Sequence, residues 1–194
     1  MRIILASGSP RRVELLKQFI DEIEIIPSSI EEKISLNDQP KQAVMALAYE
    51  KGMQVALEHP DALVIASDTI VYKDEILGKP ENYDDAKRML NLLNDTIHDV
   101  FTGIALIHLE CGLKIVDYER TGVTFNSLSE KMICDYLDTG EPYDKAGAYG
   151  IQGHGALLVN GIEGDFFNVM GLPLSKLNAM LQKYCNLNLM KRGD

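Results

Sequence analysis

The stretch "ALVIASDTIVY", residues 62–72, constrains this chain more than any other. It is a continuous apolar run, interrupted only by Ser67, Asp68 and Thr69, and has neither helical spacing nor strict alternation. That pattern belongs to a central strand, covered on both faces and bearing polar residues near one end. An aspartate in such a strand needs a cation or hydrogen bonds to offset its burial. Asp68 is therefore either a functional carboxylate or a strand-end aspartate bonded to backbone.

The rest of the chain supplies neighbours for that strand. Residues 2–6 read as a short buried strand, and Val13, Leu15, Leu16, Phe19 and Ile20 recur at helical spacing after it. The turn "SGSPRR" joins the two, with Ser9 at the N-cap and Pro10 at the first helical position. Ser7, Arg11 and Arg12 thus gather at a helix N-terminus, a place suited to an anion; the alternative is a capped helix with solvated arginines. A second strand, "IEIIPSSI", precedes a polar turn and a long helix carried by Ala43, Val44, Leu47, Ala48, Lys51, Val55 and Leu57 to His59-Pro60. "LGKPENYDDAKRMLNLL" is a loop entering a helix, and "HDVFTGIALIHLE" with "KIVDYERTGVTF" forms a hairpin turning at Cys111-Gly112. The next helix is capped by Ser127, with Glu130 three residues on, in preference to Ser129, and Gly140 closes it. A glycine-rich loop, a second hairpin and a last helix begun by Pro173 complete the chain. Early alternation and later antiparallel pairing predict an α/β fold, a mixed central β-sheet flanked by helices, in a single domain over residues 1–194.

A net charge of −10 argues against a broad grip on nucleic acid or an anionic membrane, so any basic site is local and suits a small anion. Three scattered cysteines without a C-x-x-C read as reduced thiols in an intracellular protein, and no apolar stretch has membrane-spanning length. Glu31 and Glu32 follow the second strand, while Lys51, Lys79 and Lys145 fall in segments expected to end near one sheet edge with Asp68. Carboxylates suit magnesium or manganese, and lysine and arginine suit phosphate oxygens. Together they describe a metal–triphosphate site. "GIQGHG" has neither dinucleotide-binding nor P-loop spacing. Its Gln152 is either a turn residue or a base reader, because an amide presents a donor and an acceptor together, the complement of the imide edge of uracil or thymine. The four histidines show no metal or triad arrangement and read as non-catalytic.

Six ordered motifs, "LASGSPRR", "SDTIV", "LGKP", "HDVFTGIAL", "DKAGAYGIQG" and "GDFFNVMGLP", resemble the Maf family of nucleoside triphosphate pyrophosphatases over nearly the whole chain. The resemblance implies hydrolysis of a nucleoside triphosphate to the monophosphate and pyrophosphate with a divalent cation, Mg2+ or Mn2+. It also implies a fold similar to the inosine triphosphate pyrophosphatases (Maf/Ham1) and a cytoplasmic homodimer. Arg-Arg after Ser-Pro, Asp-Thr in the strand and Gly-Ile-Gln-Gly in the late loop are similar to the branch acting on dTTP and UTP. By that match Asp68 is the proton acceptor, and Arg12, Thr69 and Gln152 set substrate specificity. Ser7, Arg11, Lys51, Lys79 and Lys145 bind phosphate, and Glu32 with Asp68 holds the metal, Glu31 being the other candidate ligand. The alternatives are a nucleotide-sensing regulator of cell division, tied to inhibition of septum formation, or a different base preference such as 7-methyl-GTP. Modified pyrimidines such as 5-methyl-UTP or pseudo-UTP would share the imide edge.

Overall fold

The computed structural model describes residues 1–30 and 39–191. Strand β1 (Ile3–Leu5) is fully buried and pairs in parallel with β2 (Ile23–Ile25) and β3 (Leu63–Lys73), Ile4 standing opposite both Glu24 and Val64. Parallel neighbours require crossovers, and helices α1 (Pro10–Lys17) and α2 (Pro40–Glu58) lie in the two connections. The order then turns antiparallel. Strand β4 (Glu75–Leu77) folds back on β3 through Asp74, whose φ is +59°. Helix α3 (Tyr83–Leu93), strands β5 (Ile97–His108) and β6 (Leu113–Phe125), helix α4 (Glu130–Leu137), strand β7 (Val159–Glu163) and helices α5 (Phe166–Val169) and α6 (Leu174–Cys185) follow. Strand order is β2-β1-β3-β5-β6-β7, with β4 on β3, so the sheet is mixed and central as expected.

The described residues group into two compact units, and β3, β5 and β6 each contribute to both. The first holds residues 1–68, 102–119 and 171 onward; the second holds 69–101 and 120–170. Each has its own apolar core. In the first, Ala48, Val55 and Ala56 of α2 pack with Val64, Ala66, Ala105 and Ile107. In the second, Val71, Leu90, Val123, Phe125, Ile133 and Tyr149 belong to one cluster.

Helix α2 comes unusually close to its strands. A Cβ on Gly52 would lie 2.9 Å from Ile107 Cδ1, and one on Gly103 would lie 2.1 Å from the carbonyl oxygen of Val44. Both glycines therefore let a helix backbone rest directly on strands. Leu57, two positions past Val55, falls on the opposite helix face and is exposed.

Three local expectations change. The α4 N-cap is Ser129, whose hydroxyl accepts from Met132 N, because Leu128 is still buried before the helix begins. Ser127 is not the cap. The late segment forms no hairpin of its own: β7 pairs antiparallel with β6, and the glycine-rich loop before it makes short 3-10 turns. Ser9 does occupy the α1 N-cap, but its hydroxyl makes no capping bond. Ser7 Oγ instead accepts from Ser9 N.

Candidate functional site

In the first unit, Asp68 sits midway along β3, not near one end as expected, because the strand runs on through Ile70, Val71 and Tyr72 to Lys73; 6% of its surface is exposed. Lys51 Nζ donates to Asp68 Oδ1. The contact follows from α2: Gly52, the next residue, brings that turn of helix onto the sheet, and a four-carbon stem then spans the remaining gap. An ion pair this far from water needs its partner, since either charge alone would be strongly unfavourable. The sequence expectation that a cation or hydrogen bonds offset the burial of Asp68 is met by the Lys51 ammonium.

The same unit assembles the amino-terminal turn. Ser7 is buried, and its Oγ accepts from Arg12 Nη1 at 3.3 Å. Arg12 Nε donates to the carbonyl oxygen of Gly171 at 2.7 Å, and Ser67 Oγ donates to that same oxygen at 2.9 Å. Gly171, at φ +101°, takes a backbone angle that suits glycine. One carbonyl thus fixes both the Arg12 fork and the serine beside Asp68. Arg11 is half-buried in the first turn of α1.

The second unit carries the other expected residues. Lys79 is exposed in the loop after β4, and Thr69 is half-buried in β3. The "LGKP" and "DKAG" loops are joined where Gly147 N donates to Gly78 O at 2.9 Å. Gly147, at φ +66°, would place a Cβ 2.8 Å from Val71 Cγ2, so only glycine fits that crossing. Lys145 Nζ donates to Glu141 O at 2.5 Å and to Asp144 Oδ1 at 2.6 Å, while its stem covers Gly150. Gln152 is exposed at the following tip. Beneath it, Tyr149 packs edge-on against Phe125 and His98, and its hydroxyl lies 2.7 Å from His98 Nε2. Burial, helped by the charge of Lys73, pushes His98 down to about 4, so the ring is neutral at physiological pH. Burial pushes the Tyr149 hydroxyl well above its ordinary range.

Glu31 and Glu32 lie outside the described residues. Among the described residues no group of three or more His, Cys, Asp or Glu is placed to hold a metal. The donor chemistry of Asp68 still fits a hard divalent cation, which commonly binds through one or two carboxylates plus substrate phosphate oxygens. No described helix is long and apolar enough to cross a membrane. Sequence reasoning did not reach the contacts of Gly171, His98 or Glu141. A carbonyl acceptor leaves no side-chain signal, and the contacts of His98 and Glu141 join residues far apart in the chain.

The family model described as "Maf-like protein" matches residues 2–184. A Clostridioides difficile protein named dTTP/UTP pyrophosphatase is 51% identical over 190 residues, covering 97% of this chain and 98% of its own. A Bacillus cereus protein of the same name is 47% identical over 184 residues, covering 94% of this chain and 95% of its own. Among solved structures, the Staphylococcus aureus Ham1 protein aligns with a TM-score of 0.45 at 14% identity, over 64% of this chain and 72% of that one. The α/β assignment rests on the strand order above.

Proposed function

The chain belongs to the Maf family, and on that premise we propose that it hydrolyses dTTP and UTP to the nucleoside monophosphate and pyrophosphate. Nucleoside triphosphate hydrolysis follows from relatives at 47–51% identity over nearly their full length. The observation that carries the mechanism is the buried Lys51–Asp68 pair. A carboxylate has about four lone-pair sites, more than one ammonium contact uses. In this reading Asp68 takes the proton of the water that attacks the α-phosphorus, and the bond to the β-phosphate oxygen breaks. Lys51 keeps the carboxylate in place and offsets its charge.

The leaving pyrophosphate gains negative charge as that bond breaks. Ser7, Arg11, Arg12, Lys51, Lys79 and Lys145 are the donors assigned to phosphate oxygens, and stabilisation by prearranged donors is the main catalytic term for such chemistry. Arg12 suits this role because Gly171 and Ser7 already fix its fork, so little side-chain entropy remains to be lost. Magnesium or manganese, held by Asp68 and Glu32, would supply further positive charge to the phosphate oxygens. Arg12, Thr69 and Gln152 set the choice of base, with Gln152 offering its amide to the pyrimidine imide edge.

The reading takes residues 1–194 as one catalytic domain acting as a cytoplasmic homodimer. The free thiols of Cys111, Cys134 and Cys185 suit a reducing compartment. The test is pyrophosphate release from dTTP, UTP, CTP, dGTP, ITP and 7-methyl-GTP with magnesium or manganese, before and after chelation. Release from dTTP and UTP, abolished in Asp68→Asn with its circular dichroism spectrum retained, is the expected result. A fully active Asp68→Asn removes Asp68 as the base, and silence across the panel removes the activity.

A further inference from the structure

We propose that Glu141 is a positioning residue that holds Gln152 for base recognition, an inference that rests on the pyrimidine reading above. The loop from Lys145 to Gly155 is pinned along its length. Gly147 N is bonded to Gly78 O, Tyr149 is anchored on His98, and Gly150 N donates to Tyr136 Oη at 3.3 Å. Beyond Gly150 the chain projects Gln152 and must return. Glu141 makes that return. Its Oε1 accepts from His154 N at 3.2 Å and from the His154 ring Nδ1 at 2.6 Å, and its Oε2 accepts from Gly155 N at 3.4 Å.

The glycines of "GIQGHG" have their reason here. A Cβ on Gly153, at φ +65°, would lie 2.8 Å from Glu141 Oε1, and one on Gly155 would lie 2.1 Å from Gly150 O. The two ends of the tip therefore touch, and the carboxylate fits against the turn from which Gln152 projects. A carboxylate is suited to this task because it accepts several N–H bonds at once and donates none. Removing it would leave the amides of His154 and Gly155 without their acceptor and release the tip.

Glu141 also touches Lys145, but through its backbone carbonyl. Truncating the side chain therefore loosens the base-reading tip while sparing the contact that orients the phosphate-binding lysine. This separation gives a kinetic signature. Glu141→Ala is expected to raise KM for dTTP and UTP roughly tenfold, the loss of a charge-assisted hydrogen-bonded anchor. Its kcat at saturation should be nearly unchanged, and KM for ITP should be unaffected, so pyrimidine preference collapses. Glu141→Gln keeps one accepting oxygen and should recover part of the preference.

The experiment measures kcat and KM for dTTP, UTP and ITP in wild type, Glu141→Ala, Glu141→Gln and Gln152→Ala, with thermal melts for each. Should Glu141→Ala fail to fold, Glu141→Gln carries the test alone, with an intermediate rise in pyrimidine KM as the expected result. A parallel fall in kcat for every nucleotide, with pyrimidine KM unchanged, overturns the proposal in favour of a merely structural role. If Gln152→Ala erases the preference while both Glu141 variants keep it, this proposal fails and the reading of Gln152 stands. If wild type shows no pyrimidine preference, or Gln152→Ala retains it, the reading itself fails and takes the role of Glu141 with it.

Discussion

Acidification tests how the loop that carries Gln152 is anchored. His98 is 2% exposed, pushed down to about 4 by burial and by the charge of Lys73, against 6.5 for an ordinary histidine. Its Nδ1 has no hydrogen-bond partner in the described structure, and its Nε2 is engaged by the Tyr149 hydroxyl. The unfolded chain therefore takes up a proton at this residue as pH falls below 6.5, whereas the folded chain resists until about 4. Between those values the unfolded state binds more protons, so stability declines with falling pH. At about 1.36 kcal/mol per pH unit the histidine accounts for a loss of ~2 kcal/mol by about pH 5, and ~3 kcal/mol once pH is below the folded value. Urea unfolding followed by circular dichroism, on wild type and His98→Asn at neutral pH and at about pH 5, isolates this contribution because other titrating groups cancel in the comparison. Wild type should lose ~2 kcal/mol more than the variant over that interval. Equal losses would refute the assignment of His98 as a buried neutral ring beneath the loop.

Two further outcomes follow from the first unit. Gly103→Ala would drive a Cβ to 2.1 Å from Val44 O, a backbone atom of α2; urea unfolding should show a loss of ~3 kcal/mol or more, and a near-neutral result would mean that α2 yields easily. Arg12→Lys removes the Nε donor that meets Gly171 O and the planar fork with it; titration with a nonhydrolysable dTTP analogue should show binding weakened roughly tenfold, and unchanged affinity would exclude Arg12 from substrate contact.

Elements whose apolar pattern is long were legible in the chain. The central strand, α2 and the β5–β6 pair each carry a run that only one kind of element can bury, and the mixed sheet follows from their order. Short elements were not. Strand β4 has three residues, and its turn depends on Asp74 adopting a left-handed angle that aspartate tolerates but does not advertise. The α4 cap was displaced by two residues because Ser127 and Ser129 offer the same hydroxyl, and only the burial of Leu128 separates them. At the site, Asp68 announced itself as a charge in an apolar strand, and its partner Lys51 was already a candidate. Gly171 could not be foreseen, because its contribution is a main-chain oxygen. Glu141 carried no signal in the chain, because the amides that its carboxylate meets lie thirteen and fourteen positions away.

The Arg12–Gly171 hydrogen bond joins positions 159 residues apart. On the ribosome, the first helix leaves the exit tunnel long before the carbonyl that orients its arginine has been synthesised. Such distant contacts make folding slow, because the intervening chain must be ordered before they form. A nascent chain ending short of Gly171 lacks that brace altogether, so Arg12 and Ser67 meet their shared acceptor only when the last helix is being made.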